Sequence, residues 1–559
     1  MMAMAIESAN SERPQLFYDW VPKWLGGLLF FFIFVPTMFL SGAYSSNAAD
    51  MVGGLGILSE HIMFATFAAA IGLVIAGPYV LPVLKSFGVR RIYITGFGIM
   101  LVLNIVCGYT ESVLVLTVCS FFMGVVRVFV MLNTIFSLIK HFAGIDPMSM
   151  LSPAEDATPE QIEKKNRGRA MLQSITFFIF LTIGQVGSYL TSKIAYEYRW
   201  QYAHWYVALY VLAAMLLVLL MLRPSCTRDK LKVQWPPIWQ AITATLFFFA
   251  TTFVLVYGKT YDWFDDRRIS LAAAIALLSA GAFILQHCFA KRRFIDPKAF
   301  TVPSVRMSVV FFTLVMLLNS SSALSSAFMG MAMKLDSVQT TAIGNWQIAG
   351  FFLAMLINIV MIKKAVHSRW VIAGGFTLIT VSTIYMYFLY QSMATYEMMI
   401  LPTLLRGTGM WMIYAYCGCM GLNDLNAGKQ LGSWVFIMLM FRAVLGPAGG
   451  ATLYSNGVYH RSQNYIERFA QTLDSSDSET SASFKRTQMG TIMQGKSYEE
   501  ATQMASVSTK GGIQLQATLV ALKEITGWTI WAGIGCIVLA LVFPYEGQRK
   551  RTGALSAAP

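Results

Sequence analysis

Apolar stretches of about twenty residues recur along the chain, separated by shorter polar connectors, and this repetition predicts membrane-spanning helices. Such stretches read as spans because a helix in lipid must satisfy its backbone polar groups internally. Fourteen spans are predicted, at 24–44, 61–84, 92–109, 113–139, 170–192, 203–222, 236–257, 269–289, 304–332, 343–362, 369–390, 396–418, 430–455 and 527–545. The seventh opens at Trp235-Pro236-Pro237, and Pro402 and Arg406 interrupt the twelfth. Two connectors are long. One, about 141–169, is acidic and then basic; the other, about 456–526, holds Asp474-Ser475-Ser476-Asp477-Ser478-Glu479 between two amphipathic segments. Neither is long enough for an independent enzymatic domain.

Composition agrees: 56% of the 559 residues are hydrophobic and 13% charged, too apolar for a soluble domain of this length. The net charge of +14 needs no nucleic acid, because the basic residues concentrate in alternate connectors. Lys85, Arg90 and Arg91 follow span 2, Lys164, Lys165, Arg167 and Arg169 follow span 4, and Arg223, Arg228, Lys230 and Lys232 follow span 6. The pattern continues with Lys291, Arg292, Arg293 and Lys298, then Lys363, Lys364 and Arg369, then Arg549, Lys550 and Arg551 in the tail. Basic connectors stay in the cytoplasm, so both termini are expected there, in a multi-pass protein of the inner (plasma) membrane. Residues 1–20 carry Glu7, Glu12, Arg13 and Asp19 without an apolar core, so span 1 is expected to direct insertion. Five of seven cysteines (Cys107, Cys119, Cys417, Cys419 and Cys536) lie in or beside spans, which argues against a disulfide framework. Cys417 and Cys419 diverge on a helix, and no metal or cofactor site is expected.

Charges inside spans cost at least ~2.5–3.5 kcal/mol each, so they line cavities or have partners. Three arginines qualify: Arg127, Arg406 and Arg442. A guanidinium makes paired hydrogen bonds to carboxylate or phosphate, so an arginine-rich, acid-poor interior favours anionic or neutral amphipathic substrates over permanent cations. The alternative is that each arginine only ties helix ends together. Proton coupling needs a group that titrates, and the candidates are Glu60, His61, Asp50 and Glu397. Polar side chains within spans, among them Asn319 and Gln185, add candidate substrate contacts. The 33 Met and 39 Phe residues fill the bilayer core and also suit a forgiving apolar pocket.

Several motifs carry a resemblance. Tyr198-Arg199-Trp200-Gln201-Tyr202 lies between spans 5 and 6, and Lys291-Arg292-Arg293-Phe294-Ile295-Asp296-Pro297 leads into span 9. Span 12 has Leu405-Arg406-Gly407-Thr408-Gly409, and span 13 has Arg442 with Gly446, Gly449 and Gly450. In this order, over nearly the whole chain, they resemble the W-R-W-x-F, charged-x-x-x-P-L, L-x-G-x-G and R-x-x-G-G-x-x-G motifs of the fourteen-helix drug:proton antiporter branch of the major facilitator superfamily. The resemblance implies an all-α polytopic membrane protein of the major facilitator fold, with 14 transmembrane helices arranged 6 + 2 + 6. Its parts would be a cytoplasmic segment 1–23, a six-helix bundle 24–225, two linker helices in 226–302, a second bundle 303–545 and a tail 546–559. Span 9 would then open the second bundle and bring Asn319 toward a central cavity. Gly184, Gly187, Gly407, Gly409, Gly446 and Gly449 would serve close helix packing.

The chain also departs from the family. The loop after span 2 keeps Gly88, Arg90 and Arg91, but Lys85 replaces the acid that helps hold the inner gate in relatives. Span 4 has Ser120-Phe121-Phe122-Met123-Gly124 without the usual arginine, while Arg127 lies about two turns further along the same face. Span 5 has Gly184-Gln185-Val186-Gly187-Ser188 without the antiporter proline, and Met38-Phe39-Leu40-Ser41-Gly42 in span 1 contains no acid.

The expected function is secondary active transport, as proton-coupled efflux of small amphipathic compounds. Proton-coupled uptake or facilitated movement of an organic anion is the alternative. A membrane sensor or enzyme is the third possibility, and no nucleotide-binding or hydrolase motif supports it. Expected partners are a small-molecule substrate, the proton and the lipid bilayer; the resemblance adds a periplasmic adaptor protein that would meet the 456–526 loop.

Overall fold

The computed structural model describes residues 16–39, 43–143, 159–224, 234–364, 366–391, 393–421, 427–472 and 478–545. Ser41, Gly42, Cys226, the Asp474–Asp477 stretch and the tail from 546 lie outside the described residues. The described chain is helical throughout apart from its connectors and one bridge pair, Phe17 with Leu222.

The helices run α1 (Lys23–Phe39), α2 (Ser59–Ala76), α3 (Val89–Tyr109), α4 (Val113–Ala143), α5 (Pro159–Glu197), α6 (Trp200–Met221), α7 (Ile238–Tyr257) and α8 (Arg267–Phe289). Then come α9 (Pro303–Asn319, resumed at Ser322–Met331), α10 (Ser337–Asn345, resumed at Gln347–Lys363), α11 (Ser368–Leu389) and α12 (Ile400–Met420). The last two are α13 (Ala427–Leu439, a π-helical turn Met440–Leu445, then Gly446–Thr472) and α14 (Tyr498–Val542), with a separate helix Ser478–Met493 between them. Among the described residues, 12 helices are long and apolar enough to cross a membrane, two fewer than expected. Helices occupy the other two predicted segments, but α1 is shorter and α12 is diluted by Pro402, Arg406, Gly407, Thr408 and Gly409.

Several helices outrun the apolar stretches that predicted them. Helix α5 begins at Pro159, not near 170, because Glu, Gln, Lys and Arg over 160–169 are good helix formers and Pro fits the first turn. Likewise α13 continues to Thr472 and α14 starts at Tyr498 behind a Ser497/Glu500 capping box, so most of the expected 456–526 loop is helix continuous with two spans.

Helices α1–α6 form one bundle and α9–α14 another. Small residues set the closest approaches: a Cβ at Gly72 would strike the Phe121 carbonyl, and one at Gly124 the Ala69 carbonyl, so α2 and α4 touch backbone to backbone. Gly409 meets α11 in the same way, its would-be Cβ 2.5 Å from the Gly375 oxygen. The α7–α8 pair lies outside both bundles, with α7 against α2 and α13, while α8 is the least buried of the twelve apolar helices. The bundles meet along two seams, α5 against α10 and α12, and α2 against α13.

At the end carrying the basic connectors, the seam is closed by Gly77 and Pro78 against Phe436 and Gly432. Asp296 accepts from Gln430 at 2.9 Å while its own N–H donates to Ser433 Oγ, tying the α8–α9 connector to α13. The expected inner-gate residue Arg90 bridges no seam. It donates to the Leu219 carbonyl at 3.0 Å and reaches the Tyr18 hydroxyl, both within the first bundle. Gly88 precedes α3 as its cap and Arg91 follows on the first turn, so Lys85, Gly88, Arg90 and Arg91 shape the α2–α3 turn, and contact between halves falls to Gly77 and Pro78.

Candidate functional site

A cavity of about 290 Å³ lies on the seam between α2, α4 and α5 of the first bundle and α13 of the second. Arg127 reaches it from α4 and Arg442 from the π-helical turn of α13. A π turn inserts a residue into the helical ladder and re-aims the side chains around it, a device common at functional sites. The Arg442 guanidinium lies over the Tyr414 ring at 4.3 Å and the Phe180 ring at 5.6 Å. Those faces hold the cation without neutralising it. Arg127 keeps its Nε without a hydrogen-bond partner among the described residues, and its charge lies within electrostatic reach of Arg442 and Tyr44. Among the described residues, no Asp or Glu lines the cavity.

Polar and small groups complete the wall. Tyr44, Ser46, Thr66, Ser188 and Thr191 line it, and Ser46 Oγ lies 3.1 Å from Thr191 Oγ1. Gly184 and Gly187 line it as well. A Cβ at Gly184 would meet open space, so this glycine widens the cavity and does not seat a neighbouring helix, unlike the packing role expected for it. Of the other expected packing glycines, Gly407 backs onto Gln347, Gly446 onto Met316, and Gly449 has only Leu317 at 4.0 Å.

The remaining predicted substrate contacts fall elsewhere. Arg406 and Gln185 line a second cavity of about 180 Å³ near the opposite end of the second bundle, and Asn319 lines neither. The coupling candidates do not converge. Glu397 is exposed, and Glu60 accepts from its neighbour Ser59 at the mouth of α2. His61 packs edge-on against Tyr257 at 5.4 Å. Asp50 is the one that crosses between bundles, accepting from Ser337 Oγ at 3.3 Å.

One titratable residue escaped the sequence reading. His204, near the start of α6, is fully buried, with Nδ1 3.4 Å from Asn104 Oδ1 and its ring 5.3 Å from Tyr44, which lines the central cavity. Its Nε2 has no partner among the described residues. The signal available was a lone histidine at the entry of an apolar span, the same kind of place as the interfacial His61.

No family model matches the chain, and no curated protein matches it. Among solved structures the chain is similar to an auto-inhibited POT family peptide transporter, at 11% identity over 94% of this chain and 98% of that one, with a TM-score of 0.52. It is also similar to the nucleoside transporter NupG, at 10% identity over 92% and 99% of the two chains, with a TM-score of 0.51. The major facilitator superfamily proton:xylose symporter XylE aligns at 12% identity over 80% and 90% of the two chains, with a TM-score of 0.46. Identities this low speak to fold alone, and the chain shares the fold of the POT family transporter and of NupG.

Proposed function

We propose that the chain is a secondary active transporter working by alternating access, with fourteen spans as 6 + 2 + 6, and that it exports small amphipathic compounds, anionic or neutral, in exchange for protons. The observation that carries this reading is a cavity between the bundles walled by an arginine from each and, among the described residues, by no carboxylate. Two fixed cations facing one space attract an anionic group or the electron-rich edge of a neutral molecule, and repel a permanent cation. Helices α1 and α12 count as spans because other helices cover them: α1 packs on α4, α5 and α6, and α12 on α5, α10 and α11. A span screened from lipid can be short or carry a charge.

Asp50, at the seam, and His204, behind Tyr44, are the groups placed to couple a proton to that cavity. The test is substrate-induced proton movement in proteoliposomes screened across anionic, neutral and cationic amphiphiles. Flux with anionic or neutral compounds that disappears in Arg127→Ala is the expected result; flux with cations alone, indifferent to Arg127, overturns the reading. Collapsing the proton gradient in cells separates export from uptake, because intracellular substrate rises in the first case and falls in the second.

A further inference from the structure

The second cavity, of about 180 Å³, has a composition unlike the first. Arg406 on α12 lines it with only 6% of its surface exposed. The guanidinium makes one side-chain bond, Nη2 to Ser321 Oγ at 2.8 Å, where α9 is broken, and its Nε has no partner among the described residues. Among the described residues, no carboxylate lines this cavity either. A charge this deeply covered is costly unless something compensates it, and the phenols of Tyr390 and Tyr454 within its electrostatic reach bring no formal charge.

Three lining hydroxyls are committed to backbone carbonyls: Thr341 to Ser337, Thr403 to Met399 and Ser382 to Pro402. The groups left to donate inward are the Arg406 guanidinium, the amides of Gln185 and Gln347, and the hydroxyls of Ser322, Ser326 and Thr340. All of these can donate and the guanidinium is a full cation with no acceptor, so an anion is the ligand that lets every group donate and cancels the buried charge. Gln185 comes from α5 of the first bundle, and its Nε2 would lie 2.7 Å from a Cβ at Gly344, so the cavity reaches across the seam.

We propose that this cavity binds a small monoanion, a halide or a short carboxylate, which neutralises Arg406 and links Gln185 of the first bundle to α10 and α12 of the second. The site is separate from the central cavity: α5 divides them, presenting Gly184 and Ser188 to one side and Gln185 to the other. Occupancy would therefore bias the equilibrium between bundle arrangements without the ion occupying the transport cavity.

The experiment is a thermal-unfolding titration of the purified full chain with sodium chloride and, separately, sodium acetate. Ionic strength is held with sodium HEPES, whose sulfonate is too bulky for the cavity. A saturable rise in midpoint with either anion is expected, with the apparent affinity falling about ten-fold or more in Arg406→Gln and less steeply in Thr340→Val. Chloride acting alone would identify a halide site; acetate acting alone or more strongly, a carboxylate site. The same titration in Asn319→Ala should keep the anion response, because that residue lines neither cavity. No saturable shift in the wild type, or one unchanged in Thr340→Val and Arg406→Gln, overturns the proposal and leaves Arg406 as a tie for the broken α9. If Arg406→Gln fails to fold, Thr340→Val decides the matter.

Discussion

Arg442 owes its position to two aromatic faces, Tyr414 and Phe180, that no charge pattern announces. A lysine at the same place would keep the charge but lose the planar fork and its stacking. Arg442→Lys is therefore expected to retain the fold and to lower substrate-driven flux about ten-fold or more, measured in proteoliposomes at matched protein density. His367 offers a test of another kind, outside the spans. It caps α11 by accepting from the Arg369 N–H at 3.3 Å, and burial, aided by the Arg369 charge, holds its pKa below the ordinary value of about 6.5. Its neutral form is thus the one the fold prefers. Stability is full above the unfolded value and declines as pH falls below about 6.5, where the unfolded chain gains the proton first. Unfolding midpoints taken between pH about 7.5 and about 5.5 should drop, and His367→Asn, which keeps a capping acceptor, should flatten that drop. The sequence made Arg127, Arg406 and Arg442 legible because a guanidinium among apolar residues always needs an explanation. It could not divide them between two cavities, since that depends on which way α5 faces. Nor could it single out Tyr414 among 24 tyrosines in a chain saturated with aromatic residues.

Helix positions were legible because lipid demands long apolar runs, but helix ends were not. Hydropathy falls at the membrane surface while the hydrogen-bond ladder continues, so α5, α13 and α14 run on through polar sequence. Breaks inside spans were less evenly marked: α9 interrupts at Ser320-Ser321 with no proline, while α13 shifts to a π turn over Met440–Leu445 just ahead of Pro447, whose missing N–H leaves the Ala443 carbonyl without its i+4 donor. The π turn makes a sharp prediction. Deleting Phe441 moves Arg442 back one position, about 100° around the helix and off the cavity. Flux should be lost as fully as in Arg442→Gln, with helical content by circular dichroism unchanged. The α2–α4 contact predicts the opposite separation. Gly124→Ala forces a methyl against the Ala69 carbonyl and should cost about 1–3 kcal/mol of stability, read as a lower unfolding midpoint.

At the scale of the whole molecule, an all-helical, multi-pass chain was readable from the order of apolar runs and the alternation of basic connectors. The seams were not, because they rest on small residues such as Gly77 and Gly432 and on single bonds such as Ser337 to Asp50. One feature of the second bundle has a mechanical meaning. Helix α14, at 45 residues, is about 68 Å long, more than twice the roughly 30 Å apolar core of a bilayer. Beyond the spans it is clamped to α13 by Arg461 and Tyr465 on Glu524 and by Ser462 on Thr518, and Gln488 of the intervening helix donates to Thr502. This makes a stiff mast carried by one bundle alone. Any tilt of that bundle against its partner sweeps the mast tip through an arc larger than the movement at the cavity. A fluorophore at the exposed Met493 should therefore swing relative to one at Tyr109 of the first bundle when substrate binds, a pointer for the transport cycle set far from the chemistry it reports.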